Sequence, residues 1–155
     1  MTKVSDRLNR LAESATLAMA RMSRELQEQG HDVIALSLGE PDFDTPDFIK
    51  QAAKKAIDDN FSHYTPVPGL PELRNAIVQK FKRDNNLEYT ADQIVTSTGA
   101  KQSLANVCLS LLNPGDEVLL PCPYWVSYTE IIKLSEGVPV EVPSTIATDF
   151  KVTPE

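Results

Sequence analysis

Apolar residues recur along the first half of this chain with a helical period, and along the second half in short runs separated by turns. Residues 1–13 are polar and unpatterned. Ser14 is placed to cap a helix in which Ala15, Met19, Met22 and Leu26 share one face, with Gly30 ending it. Val33 to Leu38 reads as a short buried strand running into the turn residues Gly39-Glu-Pro-Asp42. Thr45 followed by Pro46 has the form of an N-cap with proline at the first helical position, and Ile49, Ala52, Ala53, Ala56 and Ile57 form the stripe behind it. The stretch from Ser62 to Gly69 carries too much proline for either a helix or a strand interior. Leu73, Ala76, Ile77 and Phe81 then predict an amphipathic helix from about Pro71 to Asn85.

From Ile94 the pattern changes. Ile94 to Thr96 predicts a strand, and Gly99 turns the chain into a helix with Leu104, Val107, Cys108, Leu111 and Leu112 on one side. Asn113-Pro-Gly115 stops that helix. Glu117 to Leu120 predicts a strand, Tyr124 to Leu134 a helix, and Val138 to Val142 a third strand. This β-α-β-α-β order implies an α/β fold, a mostly parallel sheet flanked by helices. There are no internal repeats, and residues 143–155 carry no pattern.

Length and charge narrow the function. A chain of 155 residues suffices for one ordinary domain, which would bury roughly 70 % of its extended surface. The net charge of −7 argues against nucleic-acid binding, which needs clustered Lys and Arg. The one basic cluster, Lys80 to Arg83, suits the end of a predicted helix. No apolar run is long enough to span a membrane and the N-terminus has no signal-peptide core, so a cytoplasmic protein without membrane partners is expected. Two histidines and two separated cysteines cannot assemble a zinc framework, and no metal site is expected. Cys108 reads as a core thiol and Cys122 as a loop thiol.

Three places can carry chemistry. In Thr96-Ser-Thr-Gly-Ala-Lys101 a strand gives way to small residues and a helix start, where N–H groups without intrahelical partners and the helix dipole favour an anion. The alternative is an ordinary strand-to-helix turn. The segment matches neither the dinucleotide fingerprint nor the P-loop. Pro121-Cys-Pro-Tyr-Trp125 follows a strand directly, where open α/β sheets bind ligands. There the single tryptophan could cover a planar ring or be a core or interface aromatic. Tyr64 is either a phenol donor to a phosphate or a packed loop residue.

Five segments in order resemble the class I aminotransferases, pyridoxal-phosphate enzymes of fold type I, and most of all their bacterial aspartate-using branch. They are Leu38-Gly-Glu-Pro-Asp-Phe-Asp-Thr-Pro46, Tyr64-Thr-Pro-Val-Pro-Gly-Leu-Pro-Glu-Leu-Arg74, Ser97-Thr-Gly-Ala-Lys-Gln102, Pro114-Gly-Asp-Glu-Val118 and Pro123-Tyr-Trp-Val-Ser-Tyr128. Each is weak alone, but their order and spacing make the likeness specific over about residues 5–145.

The resemblance implies roles residue by residue. Gly99, Ala100 and Lys101 look like the backbone cup for the phosphate of pyridoxal 5'-phosphate, and Trp125 like the indole stacked on its pyridine ring. Tyr64 looks like the tyrosine that reaches the cofactor phosphate of the neighbouring subunit, which implies a homodimer with shared active sites. Gly39 resembles the glycine whose backbone meets the substrate α-carboxylate. Thr16 and Lys101 match residues that contact the distal carboxylate of a dicarboxylic amino acid, although Thr16 also suits a helix start without any such role. Members that also accept prephenate tend to carry a basic residue where this chain has Ala12, which counts against prephenate activity.

By the same likeness, residues 1–45 would be an N-terminal arm and small-domain segment, and residues 46–155 the first part of a large cofactor domain. The expected activity is exchange of an amino group between an L-amino acid, aspartate foremost, and 2-oxoglutarate. The Schiff-base lysine, the acidic partner of the pyridinium nitrogen and the arginine for the α-carboxylate would all lie beyond residue 155. The chain then reads as an N-terminal fragment without catalytic residues of its own, expected to be inactive alone. Two other readings remain at this level: another fold-type I enzyme, such as a lyase or an aromatic aminotransferase, or a non-enzymatic protein that binds or modulates a dimer.

Overall fold

The computed structural model describes residues 3–153. The outermost parts of the two unpatterned ends, Met1-Thr2 and Pro154-Glu155, lie outside the described residues. The chain divides into two compact units, one made of the residues up to Gly39 together with those from Thr98 onward, the other of Glu40–Ser97.

The first unit contains helices α1 (Asp6–Asn9) and α2 (Ala15–Glu28), helix α5 (Ala100–Leu111), strand β1 (Glu117–Pro121), helix α6 (Ser127–Leu134) and strand β2 (Val138–Val142). β1 and β2 pair in parallel, Glu117 opposite Val138 through Pro121 opposite Val142. The link between them is α6, the crossover that a parallel pair requires. The core forms where α6 meets the sheet. Leu120 and Ile132 are buried there, each contributing roughly 1.5–3 kcal/mol, and Ser135 is buried with its hydroxyl donating to the Ile131 carbonyl at 3.0 Å. Gly137 fits this corner because a Cβ would come within 2.9 Å of Leu112 and 3.1 Å of Ile132.

The second unit holds α3 (Asp47–Asp58), α4 (Pro71–Asn85) and a 3-10 turn, Ala91–Gln93. Pro71 starts α4, and Asn86 ends it in the left-handed conformation. The Arg74 guanidinium donates to the Ala91 carbonyl at 2.9 Å, and Phe81 packs on Tyr89 with ring centroids 5.8 Å apart. Those contacts hold the turn that delivers buried Ile94. Beyond it, the Thr96 N–H donates to the Pro68 carbonyl at 3.0 Å. Gly69, at φ +104°, leaves the space that the Thr96 side chain fills.

Several expectations need correction. Residues 6–9, expected to be unpatterned, form α1, whose N-cap Ser5 accepts the Leu8 N–H. Neither Val33–Leu38 nor Ile94–Thr96 is a strand, because among the described residues neither finds a neighbour for its ladder, and Ile34 and Leu36 are 84 % and 91 % exposed. Only the second half of the expected β-α-β-α-β is realised as paired strands. Ser14 precedes α2 but its side chain makes no cap bond, and α3 begins at Asp47 with Pro46, not Thr45, at the N-cap position. Helix α6 starts at Ser127 rather than Tyr124. The Tyr124 hydroxyl is instead drawn to the Glu141 carboxylate on β2, and that hydrogen bond holds its phenol pKa above the ordinary value.

The expected burial is overturned too. The accessible surface is 13049 Å². A 17.1 kDa chain would expose roughly 7,700 Å² as one compact body and roughly 9,300 Å² as two. About half of the extended-chain surface is therefore buried, not 70 %. Two-sided apolar elements explain it. On α5 Ala105 and Cys108 are half-buried, as is Leu112 just past its end, whereas Leu104, Val107 and Leu111 of the expected stripe are exposed. Cys108 is thus a half-covered thiol rather than a core one. Leu119, on the opposite side of β1 from Leu120, is exposed, although parallel strands are normally covered on both faces. The same holds for Met19 and Met22 on α2 and for Ile49 and Ile57 on α3.

Candidate cofactor and substrate site

The turn before α5 is built for an anion. Gly99 is the N-cap at φ 87° and ψ 161°, a conformation open essentially to glycine alone. No side chain caps the helix there, and nothing lies within 4 Å of the position a Gly99 Cβ would take. The Gly99 carbonyl accepts the N–H of Gln102 at 3.2 Å, leaving the earlier N–H groups of Ala100 and Lys101 without intrahelical acceptors. The Gln102 side chain folds back to accept the Thr98 N–H, which stiffens the turn.

Lys101 and Trp125 meet directly. The Lys101 ammonium lies over the indole, 5.3 Å from the ring centroid, a cation–π contact. Trp125 is 41 % exposed, so it is a surface aromatic with ring area to offer and not a core residue. A phosphate monoester with an attached flat ring fits these residues: free N–H groups and a nearby ammonium for the phosphate, an exposed indole for the ring.

Beside this pair lies a cavity of about 590 Å³. One wall is the segment from Leu11 to Ala15, and the other is formed by Lys101, Gln102 and Ala105 of α5 with α6 residues including Glu130 and Ile131. Thr16 itself is half-buried in the first turn of α2, one residue past this wall. The structure therefore brings Lys101, Trp125 and the Gly99 turn together and leaves Thr16 adjacent. Gly39 is exposed, with nothing within 4 Å of a Cβ position. In the other unit Tyr64 is fully exposed.

Glu130 went unnoticed in the sequence. One of its carboxylate oxygens accepts the Ala12 N–H at 2.8 Å and the other takes the Lys133 ammonium at 2.9 Å. Burial raises its pKa, but the Lys133 ammonium and the Ala12 N–H outweigh burial and hold it below the ordinary value. No local signal marks it, since its partner is 118 positions away.

The profile of the family described as Aminotransferase class I and II matches residues 31–155. The chain belongs to that family. An aspartate/prephenate aminotransferase of Cereibacter sphaeroides is 52 % identical to this aminotransferase chain over all 155 residues, which make up 39 % of that relative. An aspartate aminotransferase from Rhizobium meliloti superposes with a TM-score of 0.94 at 41 % identity, covering 99 % of this chain and 38 % of that one. The aspartate aminotransferase of Thermus thermophilus with maleate superposes with a TM-score of 0.92 at 42 % identity, covering 99 % and 40 % respectively. The fold is thus that of the N-terminal region of these aminotransferases. The chain spans about 39 % of the length of the curated relatives it matches. Among the described residues of this aminotransferase chain, no helix is long and apolar enough to cross a membrane, and no three metal-binding side chains gather.

Proposed function

We propose that the protein is a pyridoxal-phosphate-dependent aminotransferase that moves an amino group between L-aspartate and 2-oxoglutarate. The Lys101 ammonium over Trp125, beside the uncapped start of α5, carries this reading. When bound, the cofactor supplies the electron sink that lets an amino acid lose its α-proton and exchange its amine. The N–H groups of Ala100 and Lys101 bind the phosphate, and the glycine at 99 lets it approach. Trp125 orients the ring by stacking. Lys101, with Thr16 beside it, reads the distal carboxylate of the substrate, and the Gly39 backbone meets the α-carboxylate.

The rest of the machinery comes from elsewhere. None of the residues 1–155 is assigned as catalytic; the lysine that bonds the cofactor and moves the α-proton lies outside them. Tyr64 reaches the cofactor phosphate of a second subunit, so the protein works as a cytoplasmic homodimer in amino-acid metabolism. Its complete exposure suits that use. Residues 1–45 serve as arm and small-domain segment and residues 46–155 as the first part of the large domain.

Aspartate turnover coupled to 2-oxoglutarate by the full-length protein tests the proposal; absence of turnover with cofactor bound would overturn it. Prephenate is the discriminating second substrate. The curated relative's name pairs it with aspartate, but Ala12 puts no positive charge on the cavity wall. Prephenate turnover is expected to be negligible beside aspartate, and comparable rates would refute the role given to Ala12.

Trp125→Ala in the full-length protein is expected to weaken cofactor binding by about 0.5–1.5 kcal/mol beyond the lost area, roughly a twofold to thirteenfold rise in Kd. Titration of the apoenzyme with pyridoxal phosphate reads it, and an unchanged Kd would leave Trp125 a packing residue.

A further inference from the structure

Upstream of α2 the chain forms a strap that is tied to Glu130 on α6 and to Glu136 in the turn that follows that helix. Near its start, Arg7 and Arg10 approach the Glu136 carboxylate, at 3.6 and 3.3 Å. Further on, the Ala12 N–H donates to Glu130 at 2.8 Å. Between α1 and α2 the strap has no regular structure, so side-chain acceptors fix its path. The two ties differ in quality. The arginine pairs are exposed and contribute little. The Glu130 carboxylate is three-quarters covered, has both oxygens engaged, and is held in place by Lys133.

We infer that Glu130 is a positioning residue for substrate selection. By accepting the Ala12 N–H it fixes the strap that forms the cavity wall opposite Lys101. It thereby sets how far the start of α2, with Thr16, stands from the Lys101 ammonium. Glu130 touches neither cofactor nor substrate in this scheme; it acts through the backbone at Ala12. The inference rests on the proposed reading that Lys101 meets the distal carboxylate of a dicarboxylic substrate. A substrate with a second carboxylate needs the strap at a fixed distance, whereas one with a short apolar side chain does not.

The test uses the full-length holoenzyme with Glu130→Ala, Glu130→Gln and Lys101→Ala. Glutamine keeps an oxygen acceptor for the Ala12 N–H while losing the charge and the second oxygen that takes the Lys133 ammonium, so it should restore most of the tie to Ala12. Glu130→Ala should raise the KM for aspartate by about tenfold while kcat and the KM for leucine stay within about twofold. Independently of any substrate, amide hydrogen exchange at Ala12 should quicken by at least about tenfold in Glu130→Ala and stay near the parent rate in Glu130→Gln. Unchanged exchange at Ala12 would overturn the tie itself. Faster exchange with an unmoved aspartate-to-leucine KM ratio, where Lys101→Ala does move that ratio, would overturn the positioning role and leave the substrate reading standing. If Lys101→Ala also leaves the ratio unmoved, the substrate reading fails, and the selective role of Glu130 falls with it.

Discussion

A polypeptide limited to residues 1–155 is expected to turn over no aspartate and 2-oxoglutarate above a buffer blank. Transamination needs a neutral lysine amine that can bond the cofactor and then carry the α-proton. Of the nine lysines, Lys50, Lys55, Lys80, Lys82, Lys133 and Lys151 lie in ion pairs with carboxylates, and Lys3 and Lys54 are exposed. Lys101 alone stands at the indole. Its own N–H also belongs to the anion-binding turn, so the residue is committed to holding groups in place. Without a nucleophile the whole enzymatic acceleration is missing, on the order of a millionfold or more. Packing points the same way, since one face of β1 and of α5, with Leu119 and Leu111, is left uncovered. A steady-state assay of highly purified 1–155 with added pyridoxal phosphate decides the matter. Turnover above blank would mean that one of these lysines is catalytic after all.

What could be read from the sequence follows the range of the forces involved. Helix α4 was legible to the residue because proline at its start and a period of apolar positions act locally. So was β2, and β1 to within one residue, because the Asn113-Pro-Gly115 stop and the residues around Gly137 bracket them. Val33–Leu38 and Ile94–Thr96 have strand-like composition, yet a strand exists only when a second backbone supplies its hydrogen bonds. Among the described residues Val33–Leu38 finds none, and Ile94–Thr96 has only the single Thr96 N–H bond to the Pro68 carbonyl, too little for a ladder. The site divides in the same way. Gly99 and Trp125 stand out because a turn and an aromatic after a strand are local features. Glu130 and the Gln102 contact to the Thr98 N–H are not visible, because each depends on which backbone N–H the fold brings to a side-chain oxygen. The low burial was also unreadable: the apolar stripes of α2, α3 and α5 look alike in sequence whether or not anything covers them.

Lys101→Ala should separate dicarboxylic from monocarboxylic substrates in the full-length enzyme. The cation–π contact at 5.3 Å holds the ammonium on the indole, and the lysine also lines the cavity next to Ser14 and Ala15. It is therefore pre-positioned, and little side-chain entropy remains to be lost when a carboxylate arrives. The carboxylate it would meet gains a charge-assisted hydrogen bond with a net value of about 1.5–3 kcal/mol. Removing the ammonium should thus lower kcat/KM for aspartate at least about tenfold, mostly through KM, since the contact is made in ground state and transition state alike. Alanine and leucine have no second carboxylate and should lose little. The substitution also takes a positive charge from the phosphate turn, so the comparison belongs at saturating cofactor, with the cofactor Kd measured separately. A lysine that served only the phosphate would show its loss in that Kd and would slow all amino acids equally. Equal losses for aspartate and leucine at full cofactor occupancy would remove Lys101 from substrate recognition, and the carboxylate would have to be read by another residue.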